Sequence, residues 1–518
     1  MSEALVFEQS HAGRTAVSLP ELDVPEKPLA ELVPERFLRK QPPRLPEVSE
    51  IQLVRHFTRL SQRNFCVDTH FYPLGSCTMK YNPKVNERIA SLDGFARLHP
   101  YQPEEEVQGV LQLMYEMQEC LSEICGMDRF TLQPAAGAHG ELLGMMLVRA
   151  YHESKGRSPK RVIVPDTSHG TNPASVALTG FRVEVLSSRA DGMIDPDALA
   201  GVMDDDVAAI MSTNPNTLGL FEKEIVRIAE IAHRHDALMY YDGANLNGLM
   251  GICKPGEMGF DIVHVNLHKT FSTPHGGGGP GAGPVGVKEK LAPFLPAPLV
   301  EKEGDRYYLN YALPKSVGKI RAFYGNFSVI IRAYEYILAL GGKGLARATR
   351  GALVNANYLL SRLKDAFPAT YGGRCMHEFV LSAANLKEHG VRALNVAKAL
   401  IDKGFHPPTV YFPLTVPEAM MIEPTETETR ETLDAFASAM IEIAESARAN
   451  PDMLHESPIK APVRRLDEVK AARQPVLRWK QGVRATFTTA EGRQENEQLG
   501  TASKTTGKLP VPLLKGDR

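Results

Sequence analysis

A lysine stands directly before a glycine-rich segment in the stretch NLHKTFSTPHGGGGPGAGP, residues 266–284. A nucleotide-binding P-loop is excluded, because that motif places its lysine after the glycines whereas Lys269 precedes them. The dinucleotide-binding pattern Gly276-x-Gly278-x-x-Gly281 is present, but it leads into a strand-like segment instead of opening a helix, so the match is weak. The lysine itself is therefore the feature to explain.

A lysine at the end of a strand, beside backbone that carries few side chains, can form a Schiff base with an aldehyde ligand when its amine is deprotonated. Pyridoxal phosphate (PLP) is held in this way, and its pyridine nitrogen needs a carboxylate to stay protonated. Asp242 follows the apolar run of LMYYDGAN (238–245), 27 residues before Lys269. The small Ala244 leaves room beneath a flat ring.

A phosphate group binds best to free backbone N–H groups at the start of a helix. The stretch LQPAAGAHGELLGMMLVRAYH (132–152) predicts a strand that ends at Pro134, a turn of small residues, and a helix that begins at Glu141. We therefore predict a phosphate cradle made by Gly137, Ala138, His139, Asn266 and His268. Each motif alone is weak, but their order along the chain favours a PLP enzyme over a purely structural role for these residues.

The chain has the alternating pattern of an α/β protein. Short apolar runs typical of buried strands alternate with amphipathic segments, among them a predicted helix at residues 224–236. This alternation predicts a mainly parallel seven-stranded sheet with helices on both faces. The predicted strands are 130–133, 161–164, 182–186, 207–211, 237–241, 261–265 and 284–287.

Four regions are predicted along the chain. Residues 1–95 contain seven prolines between Leu19 and Ser49 and are expected to form an extended arm and a substrate-pocket segment. Residues 96–332 are predicted to be a large PLP-binding domain, and a smaller C-terminal α/β domain is predicted at 333–457. The tail, 458–518, is basic, with 13 Lys or Arg against 6 Asp or Glu.

Composition excludes several classes of partner. The chain has 518 residues, 43% of them hydrophobic, and a formal net charge of only -2, so no global field attracts nucleic acid or a membrane. Its six cysteines are scattered without metal-ligand spacing, which predicts no metal site and a reduced compartment. The acidic start lacks the features of a signal peptide, so we expect a cytoplasmic protein.

Seven short motifs along the chain are specific in combination. They are FYPLGSCTMKYNP (71–83), HPYQPEEE (99–106), PAAGAHGE (134–141), PDTSHGTNPAS (165–175), TNPNTLGLFE (213–222), YDGANLNG (241–248) and NLHKTFSTPHGGGGPGAGP (266–284). Together they closely resemble glycine decarboxylase, the PLP-dependent P-protein family of the glycine cleavage system, from about Val67 to the C-terminal domain. In particular, the chain resembles the C-terminal, lysine-bearing half, which many prokaryotes make as a separate subunit 2.

The resemblance implies the fold-type I PLP architecture and a role for individual residues. Lys269 would carry PLP covalently, Asp242 would face the pyridine nitrogen, and His169 would stack on the ring. Either Asn214 or Asn216 would face the ring hydroxyl, and the motif does not decide between them. The segment of Ser76, Cys77 and Thr78 would line the glycine pocket, with Cys77 a packed residue and not a nucleophile.

The family also implies a reaction and partners. The reaction is decarboxylation of glycine with transfer of the aminomethyl group to the lipoyl group of H-protein, an oxidoreductase activity. The implied partners are the homologous N-terminal half, subunit 1, as an α2β2 heterotetramer, and lipoylated H-protein. Rival interpretations are another fold-type I enzyme, such as an amino-acid decarboxylase or a cysteine desulfurase using Cys375, or a non-catalytic assembly subunit. Retention of both Asp242 and Lys269 argues against the last.

Overall fold

Seven strands form the central sheet of the protein, in the order β1-β7-β6-β5-β4-β2-β3. The structure is a computed structural model that describes residues 3–276 and 281–479. Gly278 of the dinucleotide-like pattern and residues 480–518 of the basic tail lie outside the described residues.

The sheet is mainly parallel, as predicted. Strands β2 to β6 run parallel to their neighbours among themselves, while β7 lies antiparallel to both β6 and β1. All seven predicted strands are found in it, with bounds that differ by at most two residues. The strands are β1 (Arg129–Thr131), β2 (Arg161–Pro165), β3 (Arg182–Leu186), β4 (Val207–Ser212), β5 (Leu238–Gly243), β6 (Ile262–Val265) and β7 (Val285–Val287).

Helices precede, connect and follow these strands. The predicted helix at 224–236 is α9. The α-helices are α1 (Leu29–Leu32), α2 (Glu50–Ser61), α3 (Lys84–Ala90), α4 (Asp93–Ala96), α5 (Gln108–Cys125), α6 (Gly137–Ser154), α7 (Thr171–Leu178), α8 (Pro196–Val202), α9 (Ile225–Arg234), α10 (Leu267–Thr270), α11 (Phe327–Leu363), α12 (Ala393–Asp402), α13 (Arg430–Ala449), α14 (Pro451–Glu456) and α15 (Glu468–Arg473).

Both faces of the sheet are covered by helices. On β5, Met239 and Tyr241 point into a core shared with α5, α9 and the first part of α11. Leu238 and Tyr240 point the other way, into a core shared with α6 and α7. Side chains alternate between the two faces of a strand, so a strand covered on both faces must be apolar throughout. This is why the central strands read as unbroken apolar runs.

A smaller antiparallel sheet follows the long α11, which is interrupted at Gly341, where φ is 57°. This sheet has the order β10-β12-β11, with β10 (Phe379–Ser382), β11 (Thr409–Val410) and β12 (Ala419–Ile422). A separate hairpin is formed by β8 (Leu299–Glu303) and β9 (Arg306–Asn310). Leu74, early in the chain, pairs with Ile422 of β12, so the predicted substrate segment is fixed to the smaller sheet.

The described chain divides into two compact units, Glu3–Lys460 and the part that begins at Ala461. The second unit contains α15 among its described residues. The predicted division of the first unit into 96–332 and 333–457 stays a prediction; α11 runs across that boundary. Within the described ranges, no helix is both long and apolar enough to cross a membrane.

Candidate active site

The polar side chains singled out from the sequence converge at one edge of the main sheet. Asp242 is the penultimate residue of β5, Asn266 directly follows β6, and Asn214 lies two residues after the end of β4. These parallel neighbours end at the same edge, where open α/β sheets bind ligands. All three side chains are at least 96% buried.

Lys269 lies in the short helix α10, directly after β6. Its side chain is buried, and its Nζ donates a hydrogen bond to the backbone carbonyl of Ser76 at 2.9 Å. Ser76 has a φ of 63°, an uncommon value for a residue other than glycine, and this turn aims its carbonyl at the lysine. A segment remote in sequence therefore completes the surroundings of the amine.

Asp242 is a buried and ionised carboxylate. Its Oδ2 accepts a hydrogen bond from Asn172 Nδ2 at 2.8 Å, and its Oδ1 accepts one from the backbone N–H of Ala244 at 3.0 Å. Burial alone would raise its pKa, but His264, whose Nε2 lies 3.4 Å away, these two hydrogen bonds and the charge of Lys269 together lower it. The site thus holds a negative charge beside the lysine at neutral pH.

The predicted phosphate cradle is the first turn of α6. The helix begins at Gly137 and not at Glu141, so the prediction of a preceding turn was wrong by four residues. The small residues before Glu141, which composition alone assigns to a turn, form the first turn of the helix instead. The first backbone N–H groups of a helix have no partner within it, so Gly137, Ala138 and His139 present free donors. A Cβ on Gly137 would lie 2.7 Å from Asn266 Oδ1, so a larger residue there would force the Asn266 side chain to move.

Two histidines flank the amine from the glycine-rich side. His268 accepts a hydrogen bond from the backbone N–H of Ala282, and burial lowers its pKa to about 3. His275 was not predicted; it lies edge-on to His268 and its Nε2 is 3.6 Å from Cys77 Sγ. Burial lowers the pKa of His275 to about 4. Both rings are therefore neutral near pH 7 and add no charge to the site.

Asn214 and Asn216, between which the sequence did not decide, have different surroundings. Asn216 uses its side chain on the backbone around it: Nδ2 donates to Gly192 O, and Oδ1 accepts from the N–H groups of Leu218 and Leu220. Asn214 Oδ1 accepts from a backbone N–H, but its Nδ2 is buried without a partner. Asn214 is thus the residue with a donor to offer a ligand.

His169 and Ala244 are also placed at this edge. His169 is half-buried after β2, its Nδ1 lies 2.9 Å from Thr171 Oγ1, and its ring meets Phe412 edge-on at 5.8 Å. Burial lowers its pKa, and the charges of Asp242 and Lys269 oppose one another there, so the ring is neutral. Ala244 is 8% exposed and follows β5 directly, where its methyl group leaves space.

The segment Ser76 to Thr78 contacts two buried glutamates that sequence reasoning missed. The N–H of Ser76 donates to Glu378 Oε2 at 2.6 Å, and Thr78 Oγ1 donates to Glu423 Oε1 at 2.6 Å. Burial raises the pKa of the Cys77 thiol, so little thiolate is present, as expected of a packed cysteine. The glutamates come from β10 and β12 regions, more than 300 positions away in sequence.

The residues present fit PLP. The edge offers an ionised carboxylate, a buried primary amine, and a helix start with free N–H groups, which match the three polar ends of that molecule. Of the twenty buried side-chain polar atoms without a hydrogen-bond partner in the described part of the chain, seven belong to the segments that follow these strands. They are Ser168 Oγ, Asn172 Oδ1, Thr213 Oγ1, Asn214 Nδ2, Asn266 Oδ1, Thr270 Oγ1 and Thr273 Oγ1. Buried polar atoms are rarely left unpaired in a native protein, so a polar ligand is expected there.

Comparison with known proteins identifies the family of the chain. The sequence profile of the family described as "Glycine cleavage system P-protein" matches residues 22–310, and the profile "Glycine dehydrogenase, C-terminal domain" matches residues 348–459. The first covers more than half of the chain, and together they include both the main sheet and the smaller one.

Individual relatives cover nearly the whole chain. A protein of Caldanaerobacter subterraneus subsp. tengcongensis named "Probable glycine dehydrogenase (decarboxylating) subunit 2" is 61% identical over 477 residues, which are 92% of this chain and 98% of that protein. A Thermotoga maritima protein of the same name is 57% identical over 477 residues, with 92% and 99% covered.

Solved structures show the fold. The crystal structure of a glycine decarboxylase (P-protein) in inhibitor-bound form superposes with a TM-score of 0.69 at 23% identity, over 80% of this chain and 94% of that one. Lactobacillus brevis glutamate decarboxylase superposes with a TM-score of 0.62 at 12% identity, over 81% and 98%. The architecture is that of fold-type I PLP enzymes, and the chain belongs to the P-protein family of the glycine cleavage system.

Proposed function

We propose that this chain is the lysine-bearing subunit of glycine decarboxylase and acts on glycine with PLP bound covalently to Lys269. The reaction is removal of the carboxylate as CO₂ and transfer of the aminomethyl group to the lipoyl disulfide of H-protein. The disulfide is reduced as the new carbon–sulfur bond forms, so the step is an oxidative decarboxylation. One observation carries the proposal: Asp242 at the end of β5 and Lys269 just after β6 are both buried, at the carboxyl ends of neighbouring parallel strands.

Bound PLP supplies an electron sink for the pair of electrons left when CO₂ departs. Asp242 would keep the pyridine nitrogen protonated, and Asn214 Nδ2 would donate to the ring hydroxyl. The N–H groups at Gly137, Ala138 and His139 would hold the phosphate. These assignments use the donors and acceptors that the protein leaves unpaired or charged at this edge.

The surroundings of the amine favour loss of a carboxylate. Ser76, Thr78 and Lys269 are each less than 10% exposed, so a glycine held there exchanges water for protein contacts. A carboxylate that has lost its hydration is less stable than one in water, whereas CO₂ is uncharged, so a dry pocket promotes decarboxylation. We place the glycine carboxylate near the segment Ser76 to Thr78.

The cysteine desulfurase alternative is not supported by the site. Its nucleophile would have to be Cys375, which lies just before β10. Burial raises the pKa of that thiol to about 12, and its backbone N–H is bound by Asn357 Oδ1 at 3.1 Å. A desulfurase needs a reactive thiolate on a mobile segment, and Cys375 is protonated and held in place.

The N-terminal arm is proposed to contact subunit 1, as part of an α2β2 heterotetramer. Its large apolar side chains stay exposed, with Leu19 at 88%, Leu22 at 67% and Leu29 at 67%. A series of exposed apolar side chains on an extended segment is typical of a segment that a partner covers. Deletion of residues 1–60 should abolish co-purification with subunit 1, and undiminished association would contradict this contact.

The cofactor assignment is tested by chemical trapping. The chain is co-expressed with subunit 1, treated with borohydride to reduce any Schiff base, digested, and mapped. We expect visible absorbance that disappears on reduction and a PLP adduct on Lys269. Lys269→Arg is the matched control, since it keeps the positive charge but has no amine that can form the linkage. A colourless complex supplied with PLP, or an adduct on another lysine, would contradict the proposal.

A further inference from the structure

A buried carboxylate one helical turn after the start of α6 faces the beginning of α7. Glu141 is only 4% exposed. Its Oε1 accepts a hydrogen bond from Thr171 Oγ1 at 2.7 Å, and its Oε2 accepts from Asn172 Nδ2 at 3.1 Å and from Ser175 Oγ at 3.2 Å. A carboxylate can only accept hydrogen bonds, and all three partners have hydrogens to donate. One side chain therefore holds three residues of α7.

The side chain of Asn172 connects Glu141 to Asp242. Its Nδ2 also donates to Asp242 Oδ2 at 2.8 Å, so each of its two N–H bonds goes to a different carboxylate. Asn172 Oδ1 is buried and has no hydrogen-bond partner among the described residues, which costs free energy. An amide held by a single carboxylate could turn to relieve this cost, whereas two carboxylates fix its plane. Glu141 therefore determines how Asn172 meets Asp242.

The hydroxyl of Thr171 connects Glu141 to His169. A threonine hydroxyl has one hydrogen, and here it goes to the Glu141 carboxylate. The Thr171 oxygen is then left to accept a hydrogen bond from His169 Nδ1, which lies 2.9 Å away. The backbone N–H of Thr171 lies farther from the same nitrogen, at 3.3 Å, and would suit the opposite tautomer. The shorter contacts place the proton of the neutral ring on Nδ1 and leave Nε2 as an acceptor.

We propose that Glu141 is a positioning residue that aligns both side chains expected to contact the ring of PLP. It orients Asp242 through the amide of Asn172. It sets the tautomer of His169 through the hydroxyl of Thr171. This role rests on the proposed function, in which Asp242 faces the pyridine nitrogen and His169 stacks on the ring.

Replacement of Glu141 by glutamine tests this role in the complex with subunit 1. The new amide nitrogen would face a donor that the carboxylate accepted, so either Asn172 or Thr171 loses its partner. Loss of a hydrogen bond to a charged group should lower kcat per bound PLP by roughly tenfold or more. The visible absorbance should shift in the same direction as in Asp242→Asn. A glutamate that only stabilised the fold would lower the thermal unfolding midpoint and leave both of these quantities unchanged.

The third partner of the carboxylate provides a matched control. Ser175→Ala removes a hydrogen bond to the same Glu141 oxygen that Asn172 uses, but the Ser175 hydroxyl does not lead on to Asp242. It should lower the unfolding midpoint and keep the wild-type kcat per bound PLP. Asn172→Ala should lower kcat. Combined with Glu141→Gln, it should lower kcat by less than the product of the two separate effects, because the two residues act through one hydrogen bond.

A second measurement uses the cofactor-free complex and needs no change at Glu141. Solid-state ¹⁵N spectra of the histidine-labelled chain show which nitrogen of His169 carries the proton, once its signals are assigned by their loss in His169→Gln. We expect the proton on Nδ1, and a proton on Nε2 would overturn the proposal.

Wild-type kcat and absorbance in a Glu141→Gln complex that holds PLP would overturn it as well. So would separate effects of Glu141→Gln and Asn172→Ala that multiply in full. A wild-type complex without lysine-bound PLP absorbance would instead refute the proposed function, and the tautomer of His169 is measured independently of that result.

Discussion

Replacement of the Asp242 carboxylate by an amide is expected to slow the reaction of the folded protein. Asn has the same shape, and its oxygen can still accept the N–H of Ala244. The new amide nitrogen would face Asn172 Nδ2, and Asn172 can turn its unpartnered Oδ1 towards it only by giving up the 3.1 Å hydrogen bond that Nδ2 donates to Glu141 Oε2. Asp242→Asn therefore costs some stability as well, so activity is compared per PLP-bound complex, where the loss reports on the charge.

The size of the loss follows from the bond that the charge makes. A hydrogen bond to an ionised group contributes about 1.5–3 kcal/mol, and about 1.36 kcal/mol corresponds to a tenfold change in rate, so we expect a roughly 10- to 150-fold fall in kcat. The assay is glycine-dependent exchange of labelled bicarbonate with the glycine carboxyl group, in the complex with subunit 1 and normalised to bound PLP. The visible spectrum should also shift, because the ring nitrogen loses its proton.

A second buried aspartate provides the control. Asp261 precedes β6 at the opposite edge of the sheet, where it accepts hydrogen bonds from Met239 N and His233 Nε2 and pairs with Lys290. Asp261→Asn should lower the thermal unfolding midpoint but leave the rate per bound PLP unchanged. The reasoning is refuted if Asp242→Asn holds PLP and keeps the wild-type rate and spectrum.

Three further predictions concern the cofactor site and the stability of the sheet. Gly137→Ala would place a Cβ 2.7 Å from Asn266 Oδ1, and overpacking costs about 1–3 kcal/mol, so PLP affinity measured by titration of the cofactor-free complex should fall roughly tenfold or more. Asn214→Asp keeps the acceptor but removes the free donor, so it should weaken PLP binding, whereas Asn216→Asp should mainly lower the unfolding midpoint; equal PLP affinities in the two variants would count against Asn214. Burial raises the pKa of Glu222 from 4.5 to about 7, so the folded protein keeps a proton that the unfolded chain releases, and stability is lost as pH rises through this interval. Glutamine does not titrate, so Glu222→Gln should remove up to roughly 3 kcal/mol of this pH-dependent loss of stability. The thermal unfolding midpoints measured at about pH 5 and about pH 8 should therefore differ less in this variant than in the wild type.

The local pattern of apolar and polar residues was sufficient to predict the strands of the main sheet. Its central strands are covered on both faces, so they are short apolar runs such as 207–211 and 237–241, bounded by polar residues. The same pattern placed Asp242 and Lys269 at strand ends, which structure now puts side by side. The start of α6 was misplaced because glycine and alanine before Glu141 suggest a turn, while tertiary packing carries the helix back to Gly137.

The two buried glutamates of the site, Glu378 and Glu423, could not be predicted from local sequence patterns. Glu378 and Glu423 reach Ser76 and Thr78 across 302 and 345 positions, and no local periodicity links such distant segments. Each glutamate lies directly beside the end of a strand of the smaller sheet, where a single charged residue usually indicates a solvent-exposed strand end. The choice between Asn214 and Asn216 likewise needed the hydrogen bonds of the folded loop.

The most direct test of the central claim is glycine-dependent exchange of bicarbonate with the glycine carboxyl group, measured with the wild-type complex and with Lys269→Ala. We predict exchange that lipoylated H-protein stimulates and that the substitution abolishes. Exchange that persists in Lys269→Ala, or its absence from a wild-type complex that carries PLP and is supplied with lipoylated H-protein, would contradict the assignment of this site to glycine decarboxylation.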